Sequence, residues 1–455
     1  MNQEAFIFSH IHQDPVLSFV SIFLEEHKQA ELFLVGGAVR DLLLKKKEVI
    51  DFDFVIRNLS REELERWFQK KGTLNLVGQH FGVYKFMPHG FTPGEIEFID
   101  IALPRTEKGT KKSFGGYRDF DIQSDSTLPI EKDLERRDFT MNAIAFDVRR
   151  QTLIDPFDGR RDLVQKRLCT VGNPTERFEE DLTRLLRGIR FAAELELTIE
   201  PETSTAMKQL FPEINKKRKT DEKKEYVVSR ETIGMEIAKA FVHNPVRAIK
   251  ECQVHAIFFS LFPRVQTILE KNSSYLEPLL EVQSNELTTV LTLLMRELTA
   301  SEIRETFVLA GLNTLPREKF LLDQDDVVWL TEHLKQFNTS EEISKMRASI
   351  FEKQFMNERG KMLIRCLDLL KQKTIVTSIN SRLKKIRTCW LVDENESIAP
   401  LLSGQDILAQ KIKPGPVIRL WLDHIRDLQL EGKLMRREQA LSWLKEELKQ
   451  SKIPQ

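Results

Sequence analysis

The densest concentration of reactive chemistry in the chain is Leu34-Val35-Gly36-Gly37-Ala38-Val39-Arg40-Asp41, followed by Asp51-Phe52-Asp53. An apolar run, Glu31 to Val35, stops at two glycines. Without Cβ atoms, Gly36 and Gly37 expose backbone N–H groups, and at a helix start such groups favour an anion. Arg40, one turn further, reaches the same anion. Asp51 and Asp53 lie two apart in a predicted strand from Ile50 to Ile56, so both carboxylates face one way. Side by side they repel unless a cation stands between them, and hard oxygen ligands of this kind suit Mg²⁺. The alternative is a turn followed by a strand with solvated acids; Phe52, Phe54 and Ile56 weigh against it by making the opposite face apolar. Asp100 is the candidate third carboxylate, on a predicted strand from Glu95 to Leu103 with apolar residues at alternate positions. A buried acid there is costly unless a metal relieves it; an edge-strand acid facing water is the alternative.

Two further clusters carry charge. In Arg136-Arg137-Asp138-Phe139-Thr140-Met141-Asn142-Ala143, two arginines beside an acid form a donor set suited to phosphate oxygens, although RRD alone also fits a surface ion-pair cluster. The segment from Glu180 to Leu195 has helical spacing. At 100° per residue, Asp181, Arg184, Arg187 and Arg190 line the face opposite a stripe of Leu182, Leu185, Leu186 and Ile189, and Gly188 leaves a gap between Asp181 and Arg184. Asp can accept from the exocyclic amine of cytosine or adenine and Arg can donate beside it, so this face can read a base edge and leave the other arginines free for phosphates. A solvated amphipathic helix is the alternative. Asp155-Pro156-Phe157-Asp158-Gly159 through Leu163 reads as a structural turn capping a short helix.

These residues must be positioned by an α/β arrangement. Glu31 to Val35, Ile50 to Ile56, Gln79 to Met87 and Glu95 to Leu103 read as strands, Arg61 to Lys71 as a helix, and Ala143 to Val148 with Gln151 to Ile154 as a closing hairpin. The polar, glycine-containing segment from Pro104 to Pro129 is expected to be a mobile loop. After about residue 165 helical patterns dominate, and Lys216 to Glu225 is expected to be an exposed charged loop. The chain has 455 residues, enough for two to four domains, with 69 basic and 69 acidic side chains. Bulk charge therefore points to no nucleic-acid partner, and any RNA site must come from local clustering. Four scattered cysteines without CxxC spacing indicate reduced thiols, and no apolar run approaches the ~20 residues that span a bilayer. The expectation is a soluble cytoplasmic protein.

Taken together, GGAVRD with DFD at Gly36 to Asp53, RRDFTMNA at Arg136 to Ala143, DPFDGRRDL at Asp155 to Leu163 and EDLTRLLRGIRF at Glu180 to Phe191 resemble the bacterial-type (class II) tRNA nucleotidyltransferase and poly(A) polymerase family. The similarity is close from Leu32 to Leu197 and looser beyond. It implies an α+β protein: a mixed-sheet nucleotidyltransferase head over residues 1–165, then an all-helical neck (166–240), body (241–395) and tail (396–455). It further implies that Asp51 and Asp53 bind Mg²⁺ with Asp100 as the third catalytic carboxylate. Gly36, Gly37, Arg40 and Arg137 then hold the triphosphate, and Asp181 and Arg184, with Arg187 and Arg190 close by, select the base. The segment from Arg105 to Asp125 corresponds to a loop used in passing from C to A addition. The implied activity is template-independent addition of CCA to the 3′ end of tRNA from CTP and ATP, with release of pyrophosphate. A poly(A) polymerase or A-only adding enzyme shares these motifs. An RNA-binding protein with an inactive head is the reading of another class, against which the intact Asp51, Asp53, Arg137, Asp181 and Arg184 weigh.

Overall fold

The computed structural model describes residues 2–46, 49–77, 82–109, 120–219, 224–393 and 396–450. They form two compact units, Met1–Pro263 with Leu309–Thr314, and Arg264–Val308 with Leu315–Gln455.

The first unit is built on one mixed sheet. Its strands are β1 (Glu31–Val35), β2 (Asp53–Arg57), β3 (Gly72–Val77), β4 (Val83–Pro88), β5 (Ile99–Ala102), β8 (Ala145–Asp147) and β9 (Thr152–Ile154), in the order β3-β4-β5-β2-β1-β8-β9. Only the β2–β5 pair is parallel. Strand alternation decides which residues face which side. Phe54 and Phe86 point to one face, where helices α2 (Phe19–Glu26) and α4 (Arg61–Gln69) cover them. Edge-to-face contacts of Phe19 with Phe54, Phe68 and Phe86, at ring separations of 5.3–6.0 Å, tie strands and helices together. Before them in the chain lies α1 (Gln3–Gln13). On the opposite face Phe33, Val35, Val55 and Ala145 are buried under Ile130 and Leu134 of α5 (Ile130–Glu135). The Asp53 end of that face is left uncovered by this cluster.

Several elements are shorter than their sequence patterns suggest. The strand expected from Ile50 starts at Asp53, so Asp51 and Phe52 precede the ladder, with Phe52 O accepting from Asp100 N at 2.9 Å. The strand expected from Glu95 starts at Ile99, because Thr92-Pro93-Gly94-Glu95 closes as a turn in which the Glu95 carboxylate accepts from Thr92 N and Oγ1. The segment expected to be a loop from Pro104 carries β6 (Arg105–Gly109) and β7 (Phe120–Ser124) paired antiparallel; residues 110–119 lie outside the described residues, as do 79–81 of the expected strand Gln79–Met87. The ends of the charged segment Lys216 to Glu225 likewise pair, as β12 (Lys217–Lys219) and β13 (Lys224–Tyr226), with 220–223 undescribed.

Past α6 (Gly159–Val164), a short parallel pair of β10 (Arg167–Leu168) with β11 (Thr198–Ile199) brackets helices α7 (Pro174–Glu180) and α8 (Thr183–Glu194). Helices α9 (Pro201–Leu210) and α10 (Arg230–His243) follow. The single helix expected from Glu180 is in fact broken at Asp181, whose φ of −148° and ψ of 103° are extended. The second unit is helical, with one core around Phe351, Phe355, Leu363, Leu367 and Ile379 and another around Trp421, Ile425, Ala440 and Leu444. Among the described residues no helix is long and apolar enough to cross a membrane.

Candidate active site

The uncovered end of the sheet opens into a cavity of about 670 Å³ within the first unit. All eleven residues singled out from sequence line it: Gly36, Gly37, Arg40, Asp51, Asp53, Asp100, Arg137, Asp181, Arg184, Arg187 and Arg190. They come from β1 and α3 (Gly37–Leu43), the start of β2, β5, the segment after α5, and the α7–α8 junction.

The β1–α3 turn is tight for a reason. Gly36 has φ +70°, and a Cβ there would lie 2.8 Å from Arg137 Nη1 and 3.2 Å from Asp53 Oδ2. Only glycine accepts both the left-handed backbone and this close approach. Asp53 is paired in register with Asp100 across the parallel β2–β5 ladder. Burial pushes the Asp53 carboxyl up to about 7; Arg137 opposes this, while Asp51 and Asp100 add to it. Burial also raises Asp100, against the pull of Lys85. Carboxyls held above their ordinary range are the mark of a donor set whose charge wants a cation, and three hard oxygen donors on one rim fit a divalent ion. The fit is incomplete in one respect: among the described residues no three acidic, His or Cys side chains converge as a ready metal cage. Lys85 of β4, in register with Asp100 and 2.5 Å from it, engages the third carboxylate.

The arginines are held, not free. Arg40 donates from Nε to Asp41 Oδ1 and from Nη1 to Asn142 Oδ1, both at 2.8 Å. Arg137 donates to Asn142 O at 3.4 Å and to Asp133 Oδ2 at 3.3 Å, while its buried Nε has no hydrogen-bond partner among the described residues. Arg184 spends its donors on Arg177 O (2.9 Å), Glu180 Oε2 (2.7 Å) and Arg136 O (3.0 Å). Arg187 donates to Asp138 Oδ2 at 2.7 Å, and Arg190 to Glu236 Oε2 at 2.6 Å and Glu194 Oε2 at 2.9 Å. For Arg190 the expectation that it stands free for phosphates is therefore corrected, because a buried guanidinium group takes counter-ions from its surroundings, whereas Arg187 is 36% exposed and engaged through Nε. Burial works against the charge of Asp138, but Arg187, Asn142 and Arg184 outweigh it and hold the carboxyl well below its usual range. Phe191 lies under three of these cations, with Arg190 4.0 Å, Arg40 5.1 Å and Arg187 5.3 Å from its ring centre.

The α8 face also differs from the wheel. Asp181 is not on the helix; it sits at the break and its Oδ1 accepts from Thr183 N at 2.9 Å, which caps α8. Burial raises its carboxyl despite Arg184. Gly188 opens no gap towards Asp181: a Cβ there would meet Met207 and Phe139 at 3.2 Å. The leucine stripe is buried, but so are Arg184 and Arg190, so α8 is not a solvated surface helix. The Asp155 turn is structural, its carboxylate accepting from Gly159 N and Arg160 N.

Lys85, Asn142, Asp138, Phe191 and Glu236 were not singled out from sequence as site residues. Lys85 had a signal, as the one charged residue in the apolar strand Val83–Pro88. Glu236 had none, because it comes from α10, over forty residues beyond Arg190.

Residues 32–169 match the poly A polymerase head domain. A CCA-adding enzyme of Streptococcus suis (strain 05ZYH33) is 29% identical over 92% of this chain and 93% of its own length. Residues 32–169 thus carry the head domain of the poly A polymerase family, and similarity to a CCA-adding enzyme extends along the chain. Members of this family generally use a divalent metal, in line with the acidic rim of the cavity. The fold is shared beyond the head. The Bacillus stearothermophilus CCA-adding enzyme in complex with CTP superposes with a TM-score of 0.68 at 22% identity, over 96% of this chain and 99% of that one. The Thermotoga maritima CCA-adding enzyme complexed with tRNA gives 0.65 at 22% identity, over 98% and 99%.

Proposed function

We propose that the chain is a cytoplasmic tRNA nucleotidyltransferase that adds CCA to the 3′ end of tRNA from CTP and ATP without a nucleic-acid template. The observation that carries this reading is the single cavity that gathers the aspartate pair, the glycine turn and the α7–α8 arginines. Its lining includes seven arginines and one lysine against five aspartates and one glutamate. That excess of two positive charges suits a polyanionic triphosphate.

In this reading Asp51 and Asp53, with Asp100, hold the divalent ion, Mg²⁺ by the hardness of the donors. When bound there it lowers the cost of deprotonating the RNA 3′-hydroxyl and offsets charge on the leaving pyrophosphate. The N–H groups of the Gly36–Gly37 turn, Arg40 and Arg137 hold the triphosphate in line. The hydroxyl oxygen forms its bond to the α-phosphorus as the bond to pyrophosphate breaks, and the hydroxyl proton passes to solvent. Asp181 and Arg184 select the base. Three of the five N–H groups of Arg184 hold its guanidinium on protein acceptors while it does so.

The test offers the purified protein tRNA ending before CCA, with CTP alone, ATP alone or both, and sequences the product ends. CC from CTP alone and CCA from the mixture are expected. Long A tails from ATP alone establish a poly(A) polymerase instead. RNA binding without any pyrophosphate release establishes an inactive head.

A further inference from the structure

Asp53, Asp100 and Lys85 stand in one row across three adjacent strands. Asp53 is in register with Asp100, and Asp100 with Lys85. In-register neighbours lie side by side on one face, close enough for their side chains to meet. The Lys85 ammonium is 2.5 Å from Asp100 Oδ1. Burial works against its charge, yet Asp100, Asp51 and Asp53 together hold it above the ordinary lysine value. The lysine is thus the cation in contact with Asp100, while Arg137 acts more strongly on Asp53. The ammonium stands against the oxygen that a third carboxylate ligand would offer a metal. An ammonium and a divalent ion cannot share that oxygen at contact distance without strong repulsion.

We propose that Lys85 is a tethered counter-ion that competes with a divalent cation for Asp100. The metal-free head then presents Asp51 and Asp53 as a two-carboxylate site, and Asp100 becomes a metal ligand only when Lys85 withdraws. This inference rests on the divalent-metal reading above. Withdrawal is open to the side chain, which is 37% exposed on a flexible four-carbon stem. The device has two effects. It relieves repulsion among three carboxylates in the empty cavity, and it weakens uptake of ions from solution, so that full loading waits for the phosphate oxygens of the substrate.

The test titrates Mn²⁺ into the metal-free, full-length protein without nucleotide and measures free Mn²⁺ by electron paramagnetic resonance. Lys85→Gln is expected to bind Mn²⁺ about two- to fivefold more tightly than wild type, the scale of one partly exposed ion pair. Lys85→Arg, which keeps the charge, is expected to stay near wild type. In an Asp100→Asn background Lys85→Gln is expected to change nothing. Circular dichroism checks folding, and Lys85→Met serves if the glutamine variant does not fold. Equal or weaker binding by the neutral variants, or the same gain without Asp100, overturns the inference. Mn²⁺ binding that is lost in Asp53→Asn but equal in wild type and Lys85→Gln overturns it while the metal reading stands. Binding that Asp53→Asn leaves untouched, or no binding in any variant, overturns both.

Discussion

Replacing Asp53 by Asn is expected to make the metal-free protein more stable while abolishing nucleotide addition. The Asp53 carboxyl is pushed by burial from an ordinary 3.8 to about 7. In the unfolded chain it loses its proton near pH 4, whereas in the folded head it keeps it until about pH 7. Between these values the native state binds more protons than the unfolded state, so stability falls as pH rises. The contribution is absent below about pH 4 and complete above about pH 7. At ~1.4 kcal/mol per pH unit the full penalty is roughly 4 kcal/mol. Asparagine keeps the shape and carries no charge, so it removes that penalty. For a unit of this size the gain corresponds to a melting shift on the order of 10 °C. The assay is calorimetric melting in a chelator at several pH values from 4 to 8, comparing wild type with Asp53→Asn. The variant is expected to gain little at pH 4 and most above pH 7, in the transition of the unit that carries the site. Saturating Mg²⁺ is expected to raise wild type and leave the variant unmoved. A gain of the same size at pH 4 and pH 8, or a variant less stable than wild type at pH 8, refutes the reasoning.

Gly36→Ala is expected to cost about 1–2 kcal/mol for the left-handed backbone alone, and more through the Arg137 and Asp53 contacts; melting gives the stability loss and pyrophosphate release the lost activity. Arg184→Ala removes three donated hydrogen bonds and is expected to cost about 1–3 kcal/mol and to raise misincorporation, read as the ratio of correct to incorrect nucleotide added. Unchanged selectivity with a loss of stability makes Arg184 purely structural. Glu236→Gln loosens Arg190 and is expected to change KM for nucleotide more than stability, measured by initial rates beside a melting curve. Replacing residues 110–119 by a two-residue turn that keeps the β6–β7 pairing is expected to spare C addition and slow terminal A addition, followed by sequencing product ends over time.

Local patterns carried much of this protein. The β1 run ending in Gly36-Gly37, the alternation around Phe54 and the leucine stripe of α8 are short-range features, because side-chain period and glycine conformation are set within a few residues. They were enough to lay out an α/β head, a helical remainder and eleven residues that line one cavity; the mixed sheet was implied by the family resemblance. What those residues touch was decided by tertiary structure. The β4–β5–β2 registers bring Lys85 to Asp100, α10 brings Glu236 to Arg190, and the fold back onto Asp138 engages Arg187. A burial pattern in sequence says that a charge lies inside; it does not say which partner offsets the desolvation, since that partner comes from any strand or helix packed alongside. The break at Asp181 is the same lesson at short range. Helical spacing continued through it, but the Asp181 carboxylate competes for the Thr183 N–H and ends one helix as it caps the next.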